Sequence, residues 1–436
     1  ALNALMAVRE GRTLDDALTP AMADLSVRDR ALAKRLATGT LRSMAILDTK
    51  AKAFMKRNFP AKALKARMVL NMGLYQLADS DSPDYAINST CLNLLGSQRY
   101  KVYKPVVDAV LRKVAAERDA WITEFEEGRA LWLPRWLKEK WGHDFGENRL
   151  NAITSSASNI PVTDLMFGSV ERRTAFVEAL DGEHPCFELP NGGLRLATGH
   201  GPIVKLPFFD EGDWWVQDFA ATMPAIVLAE GFDDGLNGKH VLDLCAAPGG
   251  KSLQLAALGA KVTAVEISET RAQRLIENVD RCGGGLAGHV RVLVEDALAL
   301  EEADKYDAIL IDAPCGASGT LRRHPEWPYI RDRESHLDNL DIQRKLLEKS
   351  AKLLKNNGKI VYSVCSIDPE EGRKQIIGIR PLLQTELFDA FKGTLPNALI
   401  HKGTVRTFPD SWASDDTEQN IYQGMDGFFI GRLSLP

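Results

Sequence analysis

Two cysteines and a set of carboxylates stand at the ends of strand-like runs in this 436-residue chain, the places where α/β folds deliver reactive side chains. Cys315 closes Asp312-Ala313-Pro314-Cys315, and Cys365 follows Gly358-Lys359-Ile360-Val361-Tyr362-Ser363. A thiolate is a strong nucleophile, and a carboxyl such as Asp312 beside it can move the proton that covalent catalysis requires. The plain alternative for Cys365 is a buried cysteine acting as a small hydrophobe. Cys91, Cys186 and Cys282 have no motif around them, and Cys245 sits inside a glycine turn where a structural role is expected. No Cys-x-x-Cys spacing occurs. Neither a zinc site nor a disulfide framework is therefore expected, and a reducing cytoplasm is the natural setting.

The turn around Cys245 is the second chemical feature. The strand-like Val241-Leu242-Asp243-Leu244 runs into Cys245-Ala246-Ala247-Pro248-Gly249-Gly250-Lys251, and Ser252-Leu253-Gln254-Leu255-Ala256 then reads as a helix. Adjacent glycines permit positive φ and close approach to a ligand, and a helix start offers unpaired N–H groups. A second strand, 261–265, ends on Glu266, where an acid can hold a ribose diol. A third, 290–294, ends at Glu295-Asp296, placed for an amide-edge or adenine contact, and a fourth, 306–311, delivers Asp312. Arg271, on the helix after Glu266, is expected to pair with an acid. Lys251 either reaches toward Asp312 and the substrate or is a surface lysine at a helix start. Four strands in series with acidic or polar ends imply a nucleotide-like cofactor at the carboxyl ends of a parallel sheet.

These residues need elements to position them, and the chain divides accordingly. Residues 1–125 read as helices throughout, with apolar spacing of three and four at Leu2, Leu5, Met6, at Leu32, Leu36 and again at Leu70, Leu74, Leu77. Residues 126–220 read as a connector, with Trp132, Trp136 and Trp141 following Trp121, then a small mixed α/β subdomain with strands at 162–167 and 194–197. The tryptophans are read as staples between helices, with base stacking as the alternative. Residues 221–436 read as a Rossmann-like α/β domain, in which Asp426-Gly427-Phe428-Phe429 suggests a hairpin turn into a last strand.

Charge is distributed unevenly. Residues 1–130 carry 21 Lys and Arg against 15 Asp and Glu, and the remainder carries 33 against 44. Between Arg28 and Arg67 lie twelve cations (Arg28, Arg30, Lys34, Arg35, Arg42, Lys50, Lys52, Lys56, Arg57, Lys62, Lys65 and Arg67) against Asp29 and Asp48. A basic front on an acidic chain suggests a polyanion-binding face with salt-sensitive affinity, against the plainer reading of a solvated helix surface. The run Leu321-Arg322-Arg323-His324-Pro325-Glu326 reads as a mobile basic loop able to grip phosphates. No stretch suits a bilayer span or a signal peptide. The chain begins without Met, which leaves room for residues ahead of Ala1.

Three blocks, Asp243-Leu244-Cys245-Ala246-Ala247-Pro248-Gly249-Gly250-Lys251, Asp312-Ala313-Pro314-Cys315 and Tyr362-Ser363-Val364-Cys365-Ser366-Ile367-Asp368-Pro369-Glu370-Glu371, resemble the signature blocks of the RNA 5-methylcytosine methyltransferases. The whole chain is similar to the Fmu/Sun-type branch of that superfamily, which acts on 16S rRNA and carries a NusB-like RNA-binding domain at its front. The resemblance implies an S-adenosyl-L-methionine-dependent enzyme that methylates carbon 5 of one cytosine in small-subunit rRNA, before or during assembly, through a covalent Cys–C6 adduct. It implies Cys365 as nucleophile, Cys315 as the residue assisting product release, and Asp312 as the acid near N3. It places the cofactor on residues Cys245 to Lys251, Glu266, Arg271, Asp296 and Asp312. The absence of Gly-x-Gly-x-x-Gly and the thiol-bearing fourth strand end also favour that cofactor over NAD.

The chain departs from the family at Glu266, where Asp is commoner, and after Cys315, where Gly316-Ala317-Ser318-Gly319-Thr320 replaces a Ser/Thr-Gly run. Its first small-subdomain strand also lacks the expected Arg and Asn. A monomer without metal or membrane association is expected. The rival readings are a tRNA cytosine-C5 methyltransferase of the same superfamily and a non-catalytic RNA-binding assembly factor. A binding module would need neither Cys315 nor Cys365.

Overall fold

A computed structural model of the chain describes residues 1–282, 285–301, 305–331, 333–395, 398–412 and 423–436. Its contacts form two compact units: residues 1–159 together with 321–332, and residues 160–320 together with 333–436. Among the described residues no helix is long and apolar enough to cross a membrane, and no group of three or more His, Cys, Asp or Glu is placed to hold a metal ion.

The first unit is helical, as the apolar spacing predicts. Helix Leu64–Asp79 is its axis, buried on most sides from Ala66 to Leu77, and it packs against helices Leu2–Val8, Val27–Arg42, Met44–Ala53, Asp84–Leu94, Lys104–Ala116 and Arg118–Glu127. A helix buried nearly all round needs no polar stripe, which explains why its sequence is apolar at almost every turn. Helix starts are marked by side chains that satisfy the open N–H groups: Thr13 accepts from Asp16 N and Ser26 from Asp29 N.

Three of the four tryptophans, Trp121, Trp132 and Trp141, pack rather than present faces to solvent. Trp121 and Trp141 are fully buried, Trp132 lies stacked on Tyr329 with centroids 4.8 Å apart, and Trp141 stacks on Trp327 at 6.2 Å. Trp136 remains 42% exposed.

The expected mobile loop at 321–326 is not one. Leu321, Arg322, Glu326 and Trp327 are buried within the helical unit. The Arg322 carbonyl accepts from Arg42 Nη2 at 2.7 Å, and Glu326 Oε1 accepts from Leu14 N at 3.3 Å. The basic letters of this segment misled because two large aromatics five and seven residues past Arg322 anchor it in an apolar interior. Several of the twelve front cations are likewise matched internally: Lys50 by Glu124, Arg67 by Asp48 and Arg35 by Asp79, while Arg42 is buried.

The second unit holds two sheets. A small antiparallel sheet of β1 (Thr163–Phe167), β2 (Cys186–Glu188), β3 (Leu194–Leu196) and β4 (Trp214–Val216) runs in the order β2-β3-β1-β4, with helix Val170–Leu180 against β1. Asp164 on β1 and Arg195 on β3 form a fully buried bidentate pair at 2.7 Å. The pair is tied outward: Asp164 accepts from Phe219 N at 2.8 Å, and Arg195 donates to the Gly424 carbonyl at 2.7 Å.

The large sheet comprises β5 (His240–Leu244), β6 (Lys261–Glu266), β7 (Val290–Val294), β8 (Tyr306–Asp312), β9 (Leu354–Val364), β10 (Gln384–Thr385), β11 (Leu399–His401), β12 (Thr404–Arg406) and β13 (Phe429–Ser434). Its order is β11-β12-β13-β9-β8-β5-β6-β7, with β10 also pairing β13. Strands β5 to β9 are parallel to their neighbours within that set, and β13 runs antiparallel to β9. Apolar clusters cover both faces, which is why these parallel strands read as continuous apolar runs. The chain steps outward from β5 to β6 and β7, then returns to the other side of β5 to lay down β8 and β9. That reversal opens a crevice at the carboxyl ends of β5 and β8, the place where such sheets take ligands.

One local expectation fails here. Asp426-Gly427 makes no hairpin turn; Gly427 N donates to the Gly319 carbonyl at 2.8 Å, so this run pairs with the loop after Cys315.

Candidate active site

The glycine turn leaves β5 at Cys245, whose φ of 61° breaks the strand sharply. Gly249, at φ 105°, then opens helix Gly250–Ala257. No side chain fits at Gly249: a Cβ there would lie 2.5 Å from Leu275 Cδ1, and the backbone conformation is strained for any L-residue with a side chain. The turn is held from the next βα unit. Arg271 Nη2 donates to the Ala247 carbonyl at 3.0 Å, and Asn278 Nδ2 to the Pro248 carbonyl at 2.8 Å. Cys245 is a buried thiol, pushed up to about 12 chiefly by desolvation, which suits the structural role expected of it.

Glu266 ends β6 almost wholly buried. Its Oε1 accepts from Ser268 N at 3.0 Å, and its Oε2 has no hydrogen-bond partner, with Arg271 Nη1 3.4 Å away. A buried carboxylate oxygen left without a donor at this strand end is an acceptor site for a hydroxyl pair. Asp296 lies beyond β7, where its Oδ1 accepts from Leu298 N at 2.9 Å.

The fourth strand brings the reactive groups together. Asp312 pairs in register with Ser363 on β9, so the segments following these two residues leave the sheet side by side. Cys315 Sγ and Cys365 Sγ are 3.4 Å apart. Lys251 Nζ is 2.8 Å from Asp312 Oδ2, and Ser363 Oγ is 3.3 Å from Asp312 Oδ1. Lys251 thus reaches into the site and is no surface lysine. Burial works against its charge, but the Asp312 carboxylate more than offsets this and holds the ammonium above its ordinary range. Cys315 is driven well above the ordinary thiol range by its hydrogen bond with Cys365 and by burial, and so remains a protonated thiol at neutral pH.

Several residues of the site were not singled out in the sequence. Glu371 Oε1 accepts from Gly316 N at 2.7 Å and from Gln343 Nε2 at 3.3 Å, and Gln343 Nε2 also donates to the Pro314 carbonyl at 2.8 Å. These bonds fix the backbone on both sides of Cys315. Ser318 and Ser366 share a hydrogen bond at 2.9 Å, and Ser318 Oγ also accepts from Ile367 N at 3.1 Å, joining the two cysteine loops. Glycine at position 319 of this loop has a steric reason: a Cβ there would lie 1.7 Å from the Gly427 carbonyl oxygen. Asp243, fully buried on β5, accepts from Ser252 Oγ at 2.6 Å while its Oδ1 has no hydrogen-bond partner. Burial pushes it up to about 7. An acid inside an otherwise apolar parallel strand was the signal available for it.

Known proteins share this fold and domain order. Residues 234–434 match the family model for 16S rRNA methyltransferase RsmB/F, and residues 1–116 match the NusB family. The ribosomal RNA small subunit methyltransferase B of Salmonella typhi is 29% identical over 443 residues, spanning 98% of this chain and 96% of that protein. That of Klebsiella pneumoniae is 28% identical over 439 residues, spanning 98% and 95%. Among solved structures, PH0851 superposes with a TM-score of 0.71 at 21% identity, covering 99% of this chain and 98% of the other. NSun6 from Pyrococcus horikoshii with SFG gives a TM-score of 0.56 at 19% identity, covering 69% and 98%. At these identities the structures speak to fold alone.

Proposed function

We propose that this chain, an RNA methyltransferase with an RsmB/F catalytic domain and a NusB-family domain at its front, methylates carbon 5 of a cytosine in small-subunit rRNA through a covalent enzyme–base adduct. The observation that carries the reading is the pair of cysteines 3.4 Å apart beside the Lys251–Asp312 pair. Carbon 5 of cytosine is a poor nucleophile, and addition of a thiolate to C6 converts the ring into an enamine able to attack an electrophilic carbon.

The crevice suits S-adenosyl-L-methionine. The sharp turn at Cys245 to Gly249 offers backbone at the carboxyl end of β5, the buried Glu266 oxygen without a hydrogen-bond donor suits a ribose diol, and Asp296 and Asp312 follow or end the strands on either side, β7 and β8. Residues Cys245 to Lys251 with Arg271 would complete the cradle. When bound, this cofactor supplies the methyl group as a positively polarised carbon.

In this mechanism the Cys365 thiolate adds to C6, and its sulfur becomes the thioether of the adduct. The Lys251–Asp312 pair supplies a proton to N3 as the thiolate adds: the Asp312 carboxyl hands it on while taking one from the Lys251 ammonium, so the charge building on the ring is neutralised. Cys315, held as a thiol by its hydrogen bond with Cys365 and by burial, acts late: across the 3.4 Å contact it passes its proton to the Cys365 sulfur released as the C6–S bond breaks, and its own sulfur takes the departing C5 proton. The Glu371 and Ser318–Ser366 bonds hold the two loops in register for that exchange.

The test uses Cys365→Ala and Cys315→Ala proteins with unmodified 16S rRNA and S-adenosyl-L-methionine. Methyl incorporation and a denaturation-resistant protein–RNA adduct are measured. Cys365→Ala is expected to lose both, and Cys315→Ala to accumulate the adduct. The reverse trapping pattern would exchange the two roles. A wild-type protein that binds RNA and methylates nothing would make the chain an assembly factor instead.

A further inference from the structure

The run Asp426-Gly427-Phe428, which makes no hairpin turn, is held by bonds that lead to the reacting groups. Asp426 N donates to Asp218 Oδ1 at 3.1 Å. Gly427 N donates to the Gly319 carbonyl at 2.8 Å, and Gly319 N in turn donates to the Cys365 carbonyl at 3.0 Å. A Cβ on Gly427 would lie 2.4 Å from Ile367 Cγ2 and 3.0 Å from Gly319 Cα, so the run meets the two cysteine loops backbone to backbone. Thr407 fixes the next residue from both sides: Phe428 N donates to Thr407 Oγ1, and Thr407 N to the Phe428 carbonyl, each at 2.8 Å. Phe428 is thereby set in place relative to Cys365, and it is only 3% exposed.

The ring of Phe428 meets Lys251. The Lys251 Nζ lies over it, 5.3 Å from the centroid, and the lysine side chain is 11% exposed. Among the described residues Asp312 is the one hydrogen-bond partner of this ammonium, at 2.8 Å. Asp243 and Cys365 are near enough to favour its charge without bonding to it. An ammonium withdrawn from water gains from negative potential on the side its carboxylate does not reach, and the face of an aromatic ring supplies that potential. A phenyl ring also has no site that accepts the proton. It steadies the cation and leaves Asp312 as the group to which the proton passes. A carboxylate in its place would compete for that proton, and an aliphatic side chain would fill the space without supporting the charge.

We propose that Phe428 is a positioning residue for methyl transfer, its ring face holding the Lys251 ammonium against Asp312 while Gly427 of the same run holds the loop after Cys315. The inference rests on the cytosine-methylation reading of the site and deepens it. One short segment near the end of the chain keeps the proton-supplying pair and the two cysteines in register.

The experiment places mono-, tri- and pentafluorinated phenylalanine at position 428 of the full chain, in the wild-type background and beside Lys251→Met. Fluorine withdraws the negative potential of the ring face stepwise while nearly keeping the shape of the ring. Single-turnover methylation of unmodified 16S rRNA, affinity for RNA and for S-adenosyl-L-methionine, and the denaturant midpoint of the catalytic unit are measured. The rate should fall stepwise, to about a tenth of wild type with the pentafluorinated ring, while both affinities stay unchanged. The midpoint should fall stepwise where Lys251 is present and stay level beside Lys251→Met, because strain from the fluorines acts in both backgrounds and the cation in only one. A midpoint that falls equally in both backgrounds makes the ring packing alone and overturns the proposal, as does a rate unchanged across the series. Wild-type protein that forms no adduct and transfers no methyl rejects the catalytic reading instead. The midpoint series needs no turnover and still decides whether the ring holds Lys251.

Discussion

Titration at single residues gives the site its chemistry. Cys315 is held as a thiol by its hydrogen bond with Cys365 and by its burial, which suits the late role proposed for it. Asp243 makes a measurable prediction of the same kind. Its carboxyl titrates near 7 in the folded chain and near 4 when unfolded. Between those values the folded state holds a proton that the unfolded state has released, so this group's contribution to stability is complete below about pH 4 and is lost as pH rises through about 7. Asp243→Asn keeps an oxygen for Ser252 and removes the charge. The melting temperature of the variant relative to wild type should therefore climb between pH 4.5 and pH 8, by up to about 4 kcal/mol in stability. A gap that stays constant across that range would mean that Asp243 is ionised throughout.

Elements position these residues, and their legibility differed with the physical signal each gives in sequence. The four parallel strands at 240–244, 261–266, 290–294 and 306–312 were readable because each is a short, largely apolar run and three of them stop at or just before an acid, Glu266, Glu295 and Asp312. The Cys245–Lys251 turn, Glu266 and Asp312 were readable for the same reason. Glu371, Gln343 and Ser318 were not, since they act by bonding backbone groups far away in sequence, and no local pattern marks such a partner. The same holds for Asp164 and Arg195, which read as ordinary alternating strand residues yet are fully buried. Through Phe219 N this pair seats the start of helix Phe219–Ala229, and through Gly424 it holds the approach to β13. Removing one member leaves a buried charge without its partner, which costs about 3–5 kcal/mol. Arg195→Leu should lower the denaturant midpoint of the catalytic unit accordingly. The double variant Asp164→Leu/Arg195→Leu should recover much of the loss. If the single and double variants are equally destabilised, packing rather than charge is the reason for the pair.

At the scale of the whole chain, sequence order and spatial grouping disagree at one place, and that place adjoins the catalytic loop. The chain runs from Cys315 to Thr320 in the catalytic unit, gives residues 321–332 to the helical unit, and returns at Arg333. Trp327 on Trp141 and Tyr329 on Trp132 make this segment part of the helical core. Charge patterning pointed the other way because Arg322, Arg323 and His324 outnumber the aromatics that decide its position. A catalytic fragment beginning near residue 160 would carry Leu321 and Trp327 without the surroundings that bury them, an apolar segment a few residues from Cys315. The consequence can be tested in the intact protein. Trp327→Ala empties a buried aromatic site, a change worth about 3–5 kcal/mol, and amide hydrogen exchange reports where that stability is lost. Protection should fall in helix Arg135–Phe145 and around Leu14, whose N–H donates to Glu326, although residue 327 lies by sequence between two strands of the methyltransferase sheet. Loss confined to β8 and β9 would show that the segment belongs to the catalytic unit after all. Loss in the helices would mean that the NusB-family domain is built partly from the catalytic half of the chain and cannot be cut away without freeing the segment that follows the Cys315 loop.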